Sequence, residues 1–159
     1  MHPKIYLAID NCFASKRWTA PEDWARVIKD LGVKYIEASA DTELDPLYMG
    51  KDYLTGWKEK ARSAQARYGV KAANLFSGHG TYSTLGLSHT DASVRRNMLD
   101  NWFKPLIETA ADLGAGIGFY AHAFPVEGLQ CQKRYDEYYK MLTDSLLELN
   151  AYAKKVGCK

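Results

Sequence analysis

The chain has 159 residues, of which 47% are hydrophobic and 13% aromatic, a composition that supports one buried core. Its 21 basic and 19 acidic side chains leave a net charge of +2 without a long run of one sign. This balance argues against nucleic acid or an anionic membrane as a partner and favours a small molecule or a protein. Three cysteines without paired spacing favour a reducing compartment, so we predict a cytoplasmic protein without a signal peptide or membrane span.

A helix that closes on glycine recurs four times, and an apolar run follows the first three closures. The glycines are Gly32, Gly69, Gly114 and Gly157, at spacings of 37, 45 and 43 residues. Such spacings suit one strand, one loop and one helix per unit. Because the last glycine lies close to Lys159, a fifth strand is expected where the sequence ends.

Short apolar runs predict four strands, near residues 5–9, 35–40, 70–76 and 117–122. Helices between them require crossover connections, and crossovers between neighbouring strands make those strands parallel and mostly buried. We therefore predict an α/β fold of four consecutive βα units, forming a single partial domain over residues 1–159.

Four helices are predicted from capping signals and apolar spacing. Thr19 and Glu22 have the spacing of a capping box, and Pro21 suits a first helical turn. The other helices are expected over about 52–68, from about 90 or 91 with a kink or split at Pro105, and over about 132–156.

The long segments follow the strands, whereas the links from helix to strand are short. They cover residues 10–18, 41–50, 77–89 and 123–131. In parallel α/β proteins ligands bind at the carboxyl ends of the strands, so this asymmetry places the functional face at that end.

Acidic side chains follow the second predicted strand. Glu37 is interpreted either as a polar residue that faces a site or as part of an internal ion pair, since a lone carboxylate in a barrel mouth is costly. Asp41 and Asp45 are assigned to turns and helix capping.

Asn74 and His79 close the third strand, and Tyr120 and His122 close the fourth. Two imidazoles at adjacent strand ends could ligate a metal, transfer protons or hydrogen-bond to sugar hydroxyls. No phosphate loop, dinucleotide fingerprint, nucleophile elbow or paired-cysteine metal site occurs, which disfavours nucleotide-dependent chemistry.

Four short motifs resemble the sugar phosphate isomerase/epimerase family of the xylose isomerase-like (β/α)8 superfamily, which includes ketose 3-epimerases and endonuclease IV. They are Ala-Ile-Asp at 8–10, Pro-Glu-x-Trp at 21–24, Tyr-Ile-Glu at 35–37 and Ala-Ala-Asp-Leu-Gly-Ala at 110–115. The resemblance implies the amino-terminal half of a TIM barrel. In the complete enzymes a divalent cation such as Mn²⁺, Co²⁺ or Mg²⁺ is held by residues of the second half, which also transfer the proton next to the carbonyl.

The resemblance further implies that this chain contributes sugar contacts and neither catalytic residues nor metal ligands. By resemblance Tyr6, Glu37, Asn74 and Tyr120 or His122 would line the sugar pocket, and His79 is added as a hydroxyl-binding group. The chain alone is expected to be inactive and to pair with a second copy or with a missing carboxyl-terminal half.

Two other functions remain open from the sequence. The first is a non-catalytic module that binds a small ligand or a partner through the same loops. The second is a zinc phosphodiesterase similar to endonuclease IV, with zinc on His79 and His122, although the weak basic charge argues against a DNA substrate.

Overall fold

A four-stranded parallel sheet, with its strands in chain order, forms the centre of the computed structural model. The structure describes residues 4–77, 84–121 and 124–159. The strands are β1 (Ala8–Asp10), β2 (Tyr35–Ser39), β3 (Lys71–Ser77) and β4 (Gly116–Phe119). The prediction of four consecutive βα units with parallel strands is confirmed.

Helices follow every strand of the sheet. They are α1 (Pro21–Asp30), α2 (Pro46–Tyr68), α3 (Ala92–Met98), α4 (Lys104–Leu113), α5 (Val126–Leu129) and α6 (Gln132–Val156). Short 3₁₀ turns occupy Asn11–Ala14 and Gly86–Ser88, and a π-helical turn over Leu99–Phe103 joins α3 to α4. The helix-closing glycines at 32, 69, 114 and 157 all have positive φ angles, between 66° and 76°.

Two strands differ from their predicted bounds by more than one residue at an end. The first was predicted over 5–9, but β1 begins only at Ala8, because β2 begins at Tyr35 directly opposite and offers no earlier partner. The fourth was predicted to reach residue 122, but β4 ends at Phe119, opposite the last residue of β3, Ser77. The second strand ends one residue earlier than predicted, and the third begins and ends one residue later.

Two helix starts also differ from prediction. The proposed capping box is wrong: α1 begins after Ala20 without a side-chain cap, because the Glu22 carboxylate instead binds Arg67 and Tyr68 of α2. The second helix begins at Pro46, ahead of the predicted start near residue 52, and Gly50 interrupts it with a φ of 75°.

The two faces of the sheet have different surroundings. Ile36 and Ala38 are fully buried and Leu75 is 1% exposed in a core shared with the helices. The alternate side chains, Tyr35, Glu37, Asn74 and Phe76, are only half-buried and point to the opposite side, which we call the open face. Among the described residues, no helix combines the length and apolar character needed to cross a bilayer.

Candidate functional site on the open face

Strands β2 and β3 bring a carboxylate and an amide together on the open face. Asn74 Nδ2 donates a hydrogen bond to Glu37 Oε2 at 2.9 Å. A β-bulge sets this pairing, since Ile36 lies opposite Ala72 whereas Glu37 lies opposite Asn74, so that one residue of β3 is skipped. Without the bulge, strand alternation would turn Asn74 toward the helices.

Gly118 of β4 provides the space that Asn74 occupies. A Cβ atom at position 118 would lie 2.6 Å from Asn74 Nδ2 and 3.1 Å from Phe76 Cδ2, both closer than a normal contact. The missing side chain therefore allows the Asn74 amide to lie across β4 and reach Glu37.

An aromatic pair borders the polar group. The rings of Phe76 and Tyr120 meet edge to face with their centroids 5.5 Å apart, and Tyr120 is 42% exposed. An exposed aromatic ring beside a carboxylate and an amide gives one apolar wall and several hydrogen-bonding atoms.

The carboxyl ends of the strands are tied together by side-chain hydrogen bonds. The Ser77 hydroxyl at the end of β3 donates to the Asp41 carboxylate, which lies in the turn after β2. Asn11 Oδ1 accepts from the Ser39 backbone N–H at 2.6 Å and so joins the residue after β1 to the end of β2.

Glu43, which the sequence analysis missed, is the acceptor at the centre of this end. Its Oε1 accepts hydrogen bonds from the indole N–H groups of Trp24 and Trp57, each at 2.8 Å, and its Oε2 accepts from the Asn11 amide. Burial raises the pKa of the Glu43 carboxyl, and the three donors act in the opposite direction. A buried tryptophan needs an acceptor for its N–H, so the tryptophans on the apolar faces of two predicted helices were the sequence signal for a nearby acceptor such as Glu43.

Asp45 acts as predicted. Its Oδ1 caps α2 by accepting from the backbone N–H groups of Leu47 and Tyr48, and its Oδ2 accepts from Trp102 Nε1 at 3.1 Å.

Tyr6, which was also predicted to line the site, is not brought to this group. Tyr6 precedes β1, is 62% exposed, and packs its ring 5.3 Å from that of Tyr35 at the amino ends of the strands. His79 and His122 lie outside the described residues, so their predicted roles stay predictions.

Within residues 4–77, 84–121 and 124–159, no three His, Cys, Asp or Glu side chains gather closely enough to hold a metal ion. The described residues therefore do not fit a divalent metal site. Nor does any described lysine or arginine form an ion pair with Glu37, whose partner there is the Asn74 amide. This arrangement offers carboxylate and amide atoms for hydrogen bonds with hydroxyl groups.

Comparison with known proteins identifies the fold family. Residues 25–159 match the family described as xylose isomerase-like TIM barrel. The chain belongs to this family. A comparison with curated proteins returned no match.

Three solved structures are similar to the chain in fold. A candidate xylose isomerase from Rhodospirillum rubrum has a TM-score of 0.79 at 23% identity, with 98% of this chain and 52% of that chain covered. A 3-keto-D-glucoside 4-epimerase from E. coli has a TM-score of 0.68 at 20% identity, with 98% and 54% covered. A D-psicose 3-epimerase from Clostridium cellulolyticum, solved with D-tagatose, has a TM-score of 0.62 at 17% identity, with 97% and 50% covered.

The chain spans about half the length of these solved structures. Its four parallel strands and their helices thus match half of a TIM barrel, as predicted. In such a barrel the helices lie outside the strands, so the open face of this sheet corresponds to the barrel interior.

Proposed function

We propose that this chain supplies the sugar-contacting half of a sugar or sugar-phosphate isomerase or epimerase. The observation that carries the proposal is the Glu37–Asn74 hydrogen bond on the face that corresponds to the barrel interior. Two of the similar structures bear the names of sugar epimerases, which supports a sugar as the ligand class.

The proposed role of this site is to bind and orient a polyol. Glu37 accepts hydrogen bonds from hydroxyl groups, Asn74 both donates and accepts, and the exposed Tyr120 ring packs against the C–H groups of the sugar. The reaction of the complete enzyme would move a proton next to the sugar carbonyl. We assign no step of that reaction to a residue of this chain.

A divalent cation such as Mn²⁺, Co²⁺ or Mg²⁺ belongs to the proposal for the complete enzyme. Its role there would be to polarise the carbonyl. We propose that residues of the second half of the barrel hold the cation, as the family resemblance implies; among the described residues of this chain no set of ligands is gathered.

The open face needs a cover in the proposed enzyme. Among the described residues, β1 pairs only with β2 and β4 only with β3, and Tyr6 and Tyr120 expose 62% and 42% of their surface. Unpaired strand edges and exposed aromatic side chains favour association. We propose that a complementary half barrel, or a second copy of this chain, closes the barrel over the Glu37–Asn74 pair.

An NMR titration of the ¹⁵N-labelled chain with D-tagatose and D-fructose tests the sugar site. We expect the Asn74 side-chain amide signals to shift, and Glu37→Gln to weaken the binding about tenfold, because one charged acceptor is lost. Glu59→Gln, at an exposed position of α2, is the matched control and should leave the affinity unchanged. Shifts confined to residues away from β2, β3 and β4 would overturn the proposal.

An activity assay tests the assignment of this chain as one half only. The purified chain, supplied with Mn²⁺, Co²⁺ or Mg²⁺, is expected to interconvert no ketose or aldose. Measurable turnover would show that the catalytic groups lie within these 159 residues and would contradict the proposed division.

A further inference from the structure

The Glu43 carboxylate accepts three side-chain hydrogen bonds at the boundary between the core and the open face. Trp24 of α1 and Trp57 of α2, each 2% exposed, donate their indole N–H groups to the same oxygen, Oε1. The other oxygen accepts from the side-chain amide of Asn11. All three donors come from different parts of the chain, so one side chain connects two helices to the segment after β1.

Asn11 transmits this contact to the end of β2. It is 1% exposed, and its two amide atoms have different partners: Nδ2 donates to Glu43, whereas Oδ1 accepts from the Ser39 N–H. A reversed amide would place N–H against N–H at Ser39 and oxygen against oxygen at Glu43. Because Glu43 can only accept while it is ionised, its charge fixes which way the Asn11 amide points.

The strand ends that Asn11 holds together lie beside the proposed sugar site. Ser39 follows Glu37 by two positions on β2, and Asp10, directly before Asn11, lies opposite Glu37 in the sheet. The Asn11 bond to Ser39 therefore holds the ends of β1 and β2 together beside the Glu37–Asn74 pair.

We propose that Glu43 is a positioning residue for the site: by fixing the orientation of the Asn11 amide, it locks the end of β1 to the end of β2 and so sets where Glu37 stands. We call the hydrogen bonds from Ser39 to Asn11 and from Asn11 to Glu43 the lock. It depends only on which atoms donate and which accept. Its importance for sugar binding rests on the proposed function.

Exchanging the polarity of the pair tests the lock. Glu43→Gln puts an N–H against the Asn11 N–H, and Asn11→Asp puts a carboxylate against the Glu43 carboxylate, so each single change creates one mismatch. The double variant Asn11→Asp/Glu43→Gln restores every bond, with donor and acceptor reversed between the two side chains. In it the introduced glutamine donates from Nε2 to the introduced aspartate and still accepts from both indoles at Oε1, while the aspartate still accepts from Ser39.

Hydrogen exchange of the Ser39 amide is the readout. In each single variant we expect the Ser39 amide to exchange at least about tenfold faster relative to the amides of α6, because the hydrogen bond that its N–H donates to residue 11 is lost or strained. In the double variant the ratio of the Ser39 exchange rate to that of the α6 amides, called the Ser39 ratio below, should return to within about threefold of the wild-type value. Equal ratios in all four proteins, or a double variant with the summed effect of both singles, would overturn the lock.

Asp45→Asn is the matched control. Asp45 is an acid of the same segment that also accepts an indole N–H, from Trp102, but it forms none of the described hydrogen bonds with Asn11; it is fully buried, whereas Glu43 is half-buried. The Asp45→Asn substitution is expected to lower the free energy of unfolding and to leave the Ser39 ratio unchanged. If Asp45→Asn speeds Ser39 exchange as much as Glu43→Gln, the effect is general loosening and the lock is refuted.

The D-tagatose titration separates this inference from the proposed function. Weaker binding in both single variants and recovery in the double variant support the positioning role. If all three variants bind D-tagatose as tightly as the wild type does, the positioning role is overturned even if the site itself is correct. No sugar binding in any protein, together with a polarity-dependent Ser39 ratio, refutes the proposed function and leaves the lock standing.

Discussion

The two faces of the sheet differ in how they are covered and in what their side chains contact. On the helix-covered face Ile36 is fully buried and Leu75 is 1% exposed. On the open face Glu37 and Asn74 contact each other and remain half-buried, and Tyr120 is 42% exposed. Burial that stabilises the fold is therefore concentrated on the helix-covered side of the four strands, whereas the proposed sugar site lies on their other side.

The covered face also contains polar groups, but their partners are internal. Trp24 and Trp57 donate to Glu43, and Trp102 donates to Asp45, so each buried indole N–H has a carboxylate acceptor. Among the described residues, no buried side-chain nitrogen or oxygen is left without a hydrogen-bond partner. The open face instead presents polar atoms at the surface of the described structure, where a ligand or a second half barrel can reach them.

Truncating one aromatic residue on each side should give the largest contrast. Trp102→Ala is expected to lower the free energy of unfolding by about 3–5 kcal/mol, because it removes a 1% exposed ring and leaves Asp45 without its indole donor. Tyr120→Ala on the open face should cost about 1 kcal/mol or less. Urea denaturation measures both, and equal losses would contradict the division between the two faces.

A methyl group added to the open face should have an intermediate effect. Gly118→Ala is expected to displace the Asn74 amide from Glu37 and to cost about 1–2 kcal/mol, since the added Cβ would lie 2.6 Å from Asn74 Nδ2. The Asn74 side-chain amide signals in a ¹⁵N spectrum should move, and urea denaturation gives the cost.

Gly56→Ala is the control for that substitution. Gly56 lies within α2, and a Cβ there would meet no atom within 4 Å. The change should stabilise the protein by about 0.5–1 kcal/mol through helix propensity. A Gly118→Ala protein as stable as the wild type, with Asn74 signals unmoved, would show that the space at position 118 is not needed.

The strand order and the helix ends could be read from the sequence because each depends on local patterns. A glycine at a helix end and an apolar run behind it suffice to define each βα unit, and Gly157 closes α6 as the pattern required. The bounds of β1 and β4 could not be read in this way, because a strand ends where its neighbour stops pairing.

The candidate site was predictable only in its residue types. Glu37 and Asn74 stand out as polar residues on apolar strands, but their contact depends on a β-bulge that no local pattern marks. The Thr19–Glu22 spacing failed for a similar reason, since Arg67 is distant in sequence yet binds Glu22 in the fold. Glu43 was missed because its three partners come together only through tertiary packing.

The outer surface of the helix layer should give the smallest effect, and one that depends on pH. Glu148 of α6 binds the Arg96 guanidinium through both oxygens, at 2.7 and 2.9 Å, and Lys104 Nζ at 2.9 Å. These cations lower the pKa of the Glu148 carboxyl to about 2. Because its folded pKa lies below the unfolded value, the stabilisation is fully present above about pH 4.5 and is lost as the pH falls toward 2.

Glu148→Gln should therefore lower the free energy of unfolding by about 1 kcal/mol at pH 7, an amount reduced by solvent screening because the side chain is 35% exposed. Added salt should shrink the difference from the wild type, and lowering the pH from 4.5 toward 3 should shrink it further. Glu137→Gln, at an exposed position of the same helix, is the control for removing a surface carboxylate and should change the free energy of unfolding by less than about 0.5 kcal/mol. If the difference in unfolding free energy between Glu148→Gln and the wild type stays constant from pH 7 to pH 3, Glu148 stabilises α6 by packing rather than by charge. The surface of the helix layer would then be stabilised in the same way as its buried side.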